Sequence, residues 1–146
     1  MYRYWFDNIK GLTPVKKRIL YEAFLEAESL YHAPEDTIRK VAGIEEQDVL
    51  AVTESKRSWS LEGAWIRLQE RGISLVTLED DDYPAKLARI VAPPYALYYR
   101  GHLPDESHRS VAIVGARGRS AYGSQVARVL AKRLAEFDVD IISGMA

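Results

Sequence analysis

The chain contains no cysteine and no uninterrupted apolar run longer than a few residues. Without Cys there is no disulfide framework, iron–sulfur cluster or thiolate zinc site, and a reducing compartment is compatible. Without a long apolar run no segment can span a bilayer as a helix. The N-terminus, Met1-Tyr-Arg-Tyr-Trp-Phe-Asp7, lacks the long apolar core of a secretory signal. Net charge is also nearly absent, since 20 Lys and Arg stand against 21 Asp and Glu to give −1. These absences fit a soluble, cytoplasmic protein. What is present, 146 residues that are 47% apolar and 28% charged, suits one compact domain or two small ones and argues against disorder.

The near-zero net charge hides an uneven layout. Between Ser107 and Ala135 stand Arg109, Arg117, Arg119, Arg128, Lys132 and Arg133 with no acid, a local charge of +6, whereas Glu79 to Asp82 is an unbroken acidic run. Local field decides which partner is attracted, so the average does not exclude a polyanion.

Residues 1–71 read as a small bundle of four or five helices. Val15, Ile19, Leu20, Ala23, Phe24, Ala27 and Leu30 recur at helical spacing as one stripe, with Thr13 as N-cap and Pro14 in the first turn. Shorter helices follow over 34–42, 45–55 and 59–71, the last ending at Gly72. There the period changes. Residues 73–78 alternate and are β-branched, 95–99 form a second strand, and 110–114 form an apolar run of the kind buried in a parallel sheet. Residues 120–137 form a helix with Val126, Val129, Leu130, Leu134 and Phe137 inward, and 139–142 the next strand. Strand, glycine-bearing turn, helix and strand make one βαβ unit.

That turn is the strongest candidate site. In Val111-Ala-Ile-Val-Gly115-Ala116-Arg117-Gly-Arg119-Ser120-Ala-Tyr122-Gly123 a loop leaves the carboxyl end of a strand and enters a helix N-terminus. Backbone N–H groups and the helix dipole favour a phosphate there, and Arg117 and Arg119 can grip its oxygens. The plainer reading is a glycine turn with solvated arginines. Gly115, Gly118 and Gly123 do not have dinucleotide-fingerprint spacing, Ser143 and Gly144 follow the second strand where a ribose-binding acid belongs, and no Gly-Lys-Ser/Thr occurs. Bound NAD or ATP is therefore not expected, nor any other cofactor. His32, His102 and His108 lack metal-ligand spacing, and the acidic run reads as the start of a solvated loop rather than a cation site. No catalytic constellation is evident.

A second basic feature is Gly11-Leu-Thr-Pro-Val-Lys16-Lys17-Arg18. Three cations occupy a helix's first turn, where the dipole disfavours them. A broken local rule can mark function, and the pattern resembles the hairpin of a helix-hairpin-helix module that meets DNA phosphates. The alternative is a solvated helix face. A near-echo, Ile9-Lys-Gly11-Leu and Val41-Ala-Gly43-Ile, precedes two of the helices.

Taken in order, Asp82-Tyr83-Pro84-x-x-Leu87, Pro93-Pro94-x-x-Leu97-Tyr98-x-Arg100-Gly101, Val111-Ala-Ile-Val-Gly115-x-Arg117, Tyr122-Gly123 and Ser143-Gly144-Met-Ala146 resemble the DNA-processing protein A (DprA/Smf) family. The resemblance implies an α/β chain: a helical SAM-like domain over 1–71, then the first half of a Rossmann-like DNA-binding domain over 72–146. It implies a homodimeric, non-enzymatic recombination mediator that binds single-stranded DNA and loads the RecA recombinase in natural transformation. The implied nucleic-acid-binding residues are Gly115, Ala116, Arg117, Arg119, Ser120, Tyr122, Gly123, Ser143 and Gly144, with Lys16, Lys17 and Arg18 as a possible secondary contact. The family usually has Ser or Thr where this chain has Ala116, which removes one hydroxyl from the loop. The family's Ser-Gly-x-Ala is also typically followed by Arg-Gly-Ile-Asp, so an N-terminal fragment is expected. Two other readings compete. One is a nucleotide-binding enzyme of the phosphoribohydrolase type, whose Pro-Gly-Gly-x-Gly-Thr loop is not among these residues. The other is an interaction module in which the helical part binds a partner.

Overall fold

The computed structural model describes residues 1–144 and divides into two compact units, Met1–His102 and Leu103–Ala146. Helices and short strands mix in both. The helices α1 (Tyr2–Asp7), α2 (Pro14–Phe24), α3 (Ala27–His32), α4 (Glu35–Arg39), α5 (Glu46–Ser58) and α6 (Leu61–Glu70) open the first unit. They are followed by β1 (Ser74–Thr77), α7 (Ala85–Ala88) and β2 (Ala96–Tyr99).

Two of these helices depart from the sequence reading. Helix α1 has no side-chain cap and is too short for a visible period, yet Trp5 and Phe6 are fully buried. Packing holds it: the Trp5 indole N–H donates to Ser55 Oγ at 3.0 Å, and the Phe6 ring stands edge-on to Tyr95 with centroids 4.6 Å apart. The single stripe expected over 15–30 is two helices. Leu25 adopts φ +62° and Glu26 is extended, so the chain bends between them. The bend lets Leu20 on α2 and Ala27 and Leu30 on α3 enter one core, with the exposed Leu25 at the corner. The expected cap is present, since Thr13 Oγ1 accepts from the Lys16 backbone N–H at 3.3 Å.

Strands β1 and β2 pair antiparallel, with Ser74 opposite Tyr99 and Thr77 opposite Ala96. Tyr95 and Ala96 join the same core as Trp5, Leu20, Ile38, Val49 and Val52. The change of period at Gly72 therefore marks where helices give way to strands, while the compact units divide after His102. The acidic run is not a solvated loop at its start. Arg3 Nε donates to Glu79 at 2.7 Å and Nη1 to Asp80 at 2.5 Å, and the Tyr95 hydroxyl also donates to Glu79. Asp80 accepts in turn from the backbone N–H and hydroxyl of Thr77 at 2.8 and 2.9 Å. Only Asp81 and Asp82 stay exposed.

In the second unit β3 (Ser110–Ile113), α8 (Ala121–Glu136) and β4 (Asp140–Ser143) form the βαβ unit read from the sequence. The strands are parallel, with Ser110 opposite Asp140 and Ile113 opposite Ser143. Burial differs from the expectation. Among the described residues of this unit none is fully buried. Val129, Leu130 and Phe137, expected inward, are 54%, 51% and 79% exposed, and Val114 is 88% exposed. The half-buried positions of α8 are Ser124, Val126, Ala127, Ala131 and Leu134. Two strands about 4.8 Å apart make a platform narrower than a helix about 10 Å across, so only a narrow stripe finds cover.

Candidate nucleic-acid interface

The loop 114–120 leaves β3 at its carboxyl end and enters α8 through a regular cap. Ser120 is extended at φ −74°, ψ 160°, and its Oγ accepts from the Gly123 backbone N–H at 3.1 Å. The first helical bond runs from Ser124 N–H to Ser120 O at 3.0 Å. Among the described residues the N–H groups of Ala121 and Tyr122 have no hydrogen-bond partner, as expected for a helix's first turn. They are donors at the positive end of a 16-residue helix, open to an anion.

The glycines of the loop leave room for that anion. Neither Gly115 nor Gly118 has a positive φ, and a Cβ built on either meets nothing within 4 Å. Turn strain does not demand glycine here, and neither does packing. What the missing side chains do is leave the backbone approachable, at Gly144 on the end of β4 as well.

Two arginines differ in how they are held. Arg119 Nε donates to Ser124 Oγ at 2.8 Å, which ties the guanidinium to the first turn of α8. Sequence reading did not single out Ser124; its place one turn after the cap was the only signal. Arg117 is exposed and makes no side-chain hydrogen bond or ion pair among the described residues. Along α8, Arg128 and Lys132 lie one turn apart, both exposed and without an ion pair among the described residues. Arg133 stands 3.4 Å from Glu136, an exposed pair of little energetic weight. Tyr122 is 77% exposed, Ser143 Oγ donates to the Gly144 carbonyl at 3.2 Å, and the rest of the candidate set, Ala116 included, lies on the exposed surface. All nine residues of the set thus lie on the two segments that border the carboxyl ends of β3 and β4. Met145 and Ala146, which complete the Ser-Gly-Met-Ala block, lie outside the described residues.

The other basic cluster is differently placed. Lys16 Nζ donates to the Gly43 carbonyl at 2.6 Å and to Glu45 Oε1 at 2.8 Å, and stands 3.1 Å from the buried Asp48 carboxylate. These bonds, led by the one to Glu45, hold its ammonium above its ordinary pKa. Lys17 donates to the Asp7 carbonyl and lies 3.7 Å from the Asp7 carboxylate. Arg18 pairs with Glu22 at 2.8 Å while its side chain stays 61% exposed. The unfavourable first-turn charges are thus offset, for Lys16 and Lys17 by acids from other segments and for Arg18 by Glu22 one turn on in α2. The near-echo has a structural sense too: Gly11 and Gly43 both have positive φ, and the lysine five residues after Gly11 bonds the Gly43 carbonyl.

Among the described residues no group of three His, Asp or Glu is arranged to hold a metal ion, and no helix is long and apolar enough to cross a membrane.

The family model described as DNA recombination-mediator protein A matches residues 74–146. The chain is 42% identical over 86 residues to a protein Smf of Borreliella burgdorferi, covering 56% of this chain and 27% of that one. It is 27% identical over 149 residues to a protein Smf of Synechocystis sp., covering 98% of this chain and 37% of that one. It is 35% identical over 79 residues to the DNA processing protein DprA of Bacillus subtilis, covering 53% and 27%. The chain therefore spans between 27% and 37% of the length of these relatives. No solved structure matches it.

Proposed function

The chain belongs to the DNA recombination-mediator protein A family, and from that premise we propose that it binds single-stranded DNA through the β3–α8 loop. Its role is to protect incoming strands and to help load the RecA recombinase during natural transformation. The proposal includes a SAM-like fold for residues 1–71, a Rossmann-like fold from residue 72 onward, a homodimeric whole protein and a cytoplasmic setting. A role in DNA processing and recombination follows from the family itself.

One observation carries the reading: among the described residues Arg117 stands exposed and unpaired in the loop that leads into the first turn of α8, whose Ala121 and Tyr122 amides have no partner there, and the glycines of that loop keep the backbone open. Capture is electrostatic. Phosphate oxygens meet the Ala121 and Tyr122 amides, Arg117 and Arg119 bind bidentately, and Arg128 and Lys132 extend the field along the helix. The mechanism makes and breaks no covalent bond. Ala116 offers no hydroxyl, so backbone and guanidinium groups do the binding.

A weaker contact to duplex DNA at Lys16, Lys17 and Arg18 would require each cation to leave the partner it has. Arg18 alone keeps most of its side chain in solvent.

The test is a titration of the chain with a labelled dT oligonucleotide across a salt series. Arg117→Ala is expected to weaken binding and to reduce the salt slope by about 0.7 to 1, the contribution of one phosphate contact. An unchanged slope and affinity would remove Arg117 from the site.

A further inference from the structure

We propose that the groove between α2 and the segment 88–95 is a docking site for a peptide segment that alternates acidic and apolar side chains. It is a second binding surface, built within the first unit alone, and it does not rest on the DNA reading. The groove encloses about 750 Å³. Its walls are aliphatic and aromatic: Val15 and Tyr21 from α2, then Ile90, Val91, Pro93 and Pro94 from the opposite side. Val91 is 94% exposed, Val15 66% and Ile90 49%. Three aliphatic side chains gathered in solvent on one concavity mark an interaction surface, where scattered ones would not.

Charge selects the partner. Lys17 is paired with Asp7 and Arg18 with Glu22, all four on the lining, whereas Arg89 makes no ion pair or side-chain hydrogen bond among the described residues. The lining therefore carries one uncompensated positive charge. The Arg18–Glu22 pair is exposed on both sides, so a ligand carboxylate can take over the Arg18 guanidinium at little cost. That guanidinium already reaches across the groove to the Val91 carbonyl at 3.5 Å.

The walls also discriminate among ligand classes. Single-stranded nucleic acid is held by aromatic faces on which bases stack, but the Tyr21 ring already packs against Tyr95 with centroids 5.7 Å apart, and the remaining walls are aliphatic. Pro93 and Pro94 have no N–H to donate, so that segment cannot extend a strand ladder. Recognition falls to apolar contact and to carboxylates on Arg89 and Arg18. An open trench with exposed rims suits an extended segment better than a small molecule, which needs most of its surface enclosed.

The experiment uses the 146-residue chain and fluorescence anisotropy with three labelled peptides of about twelve residues, alternating Asp with Leu, Lys with Leu, and Asp with Ser. The Asp–Leu peptide is expected to bind about tenfold or more tightly than either control. Arg89→Glu and Val91→Asp, both fully surface changes, should each weaken it about fivefold or more with the melting temperature unchanged. Equal binding of all three peptides, no binding of any, or insensitivity to both substitutions would overturn the proposal. So would displacement of the peptide by a dT oligonucleotide whose own binding falls in the same two variants, which would make this a nucleic-acid groove.

Discussion

Arg3 Nη1 lies 2.5 Å from Asp80 Oδ1, across 77 positions of sequence. The bond ties the N-terminal helix α1 to the turn that ends β1. The turn itself depends on the same carboxylate, which caps the Thr77 N–H and hydroxyl. Asp80→Ala removes all three interactions and leaves the backbone N–H of the fully buried Thr77 without its side-chain acceptor. A loss of about 1–3 kcal/mol is expected from an orphaned donor of this kind, read as a lower urea midpoint at constant slope. Asp81→Ala, one residue on and exposed, should leave the midpoint in place.

The same carboxylate sets a pH dependence. Burial alone would raise the Asp80 pKa, but the two Thr77 hydrogen bonds and Arg3 outweigh it and hold the group below its ordinary value of 3.8. A depressed folded-state pKa contributes stability that is whole above the unfolded value and disappears as pH falls through the folded one. The urea midpoint should therefore drop as pH is lowered below about 4. The drop should be shallower in the Asp80→Ala variant, and a parallel pH profile for the two proteins would remove Asp80 from this role.

How much of this was legible before the structure depends on where each signal is written. The β3–α8–β4 unit is legible because its strand, cap and helix signals are local: Ser120 caps α8 as its residue type suggests, and the apolar runs flank a long periodic segment. The candidate loop is legible for the same reason. Helix α1 is not, because its stability lies in Trp5 and Phe6 packing on residues distant in sequence. Nor is the bend at Leu25, since the periodicity of 15–30 continues across it and only tertiary packing makes two short helices better than one. The partners of Lys16 and Glu79 are likewise long-range. A run of like charges reads as solvated until the opposite charge arrives from elsewhere in the chain.

Burial separates the two units sharply, and stability should follow it. Leu20 is fully buried, so Leu20→Ala should cost about 2–5 kcal/mol through lost transfer energy and a cavity. Phe137 is 79% exposed, so Phe137→Ala should stay within about 0.5 kcal/mol. Urea titrations of the two variants check both. A large loss at Phe137 would show that α8 packs more tightly in solution than its exposure indicates.

Lys16 and Arg117 should separate stability from binding. Lys16→Met deprives Asp48 and the Gly43 carbonyl of their cation, so the melting temperature of the chain is expected to fall while affinity for single-stranded DNA is retained. Arg117→Ala should do the reverse, because its guanidinium holds nothing in the fold among the described residues. Gel shifts with duplex DNA at low salt complete the comparison. A lost duplex shift in Lys16→Met at unchanged melting temperature would assign that cluster to DNA.

Tyr122 stands in the first turn of α8, 77% exposed, in the turn whose amides have no partner among the described residues and three positions after Arg119. An exposed ring contributes little to folding, but next to bound phosphates it offers a face on which a base can stack, an interaction worth about 1–3 kcal/mol by alanine substitution. Tyr122→Ala is therefore expected to weaken dT oligonucleotide binding by about 5- to 150-fold at constant salt. The salt slope should not change, since no phosphate contact is lost. Tyr122→Phe keeps the face and loses only the hydroxyl, so it should bind as the unaltered chain does. Equal losses in the two variants would assign the contact to the hydroxyl, and a reduced salt slope in Tyr122→Ala would show that the ring acts by positioning the loop instead of by stacking.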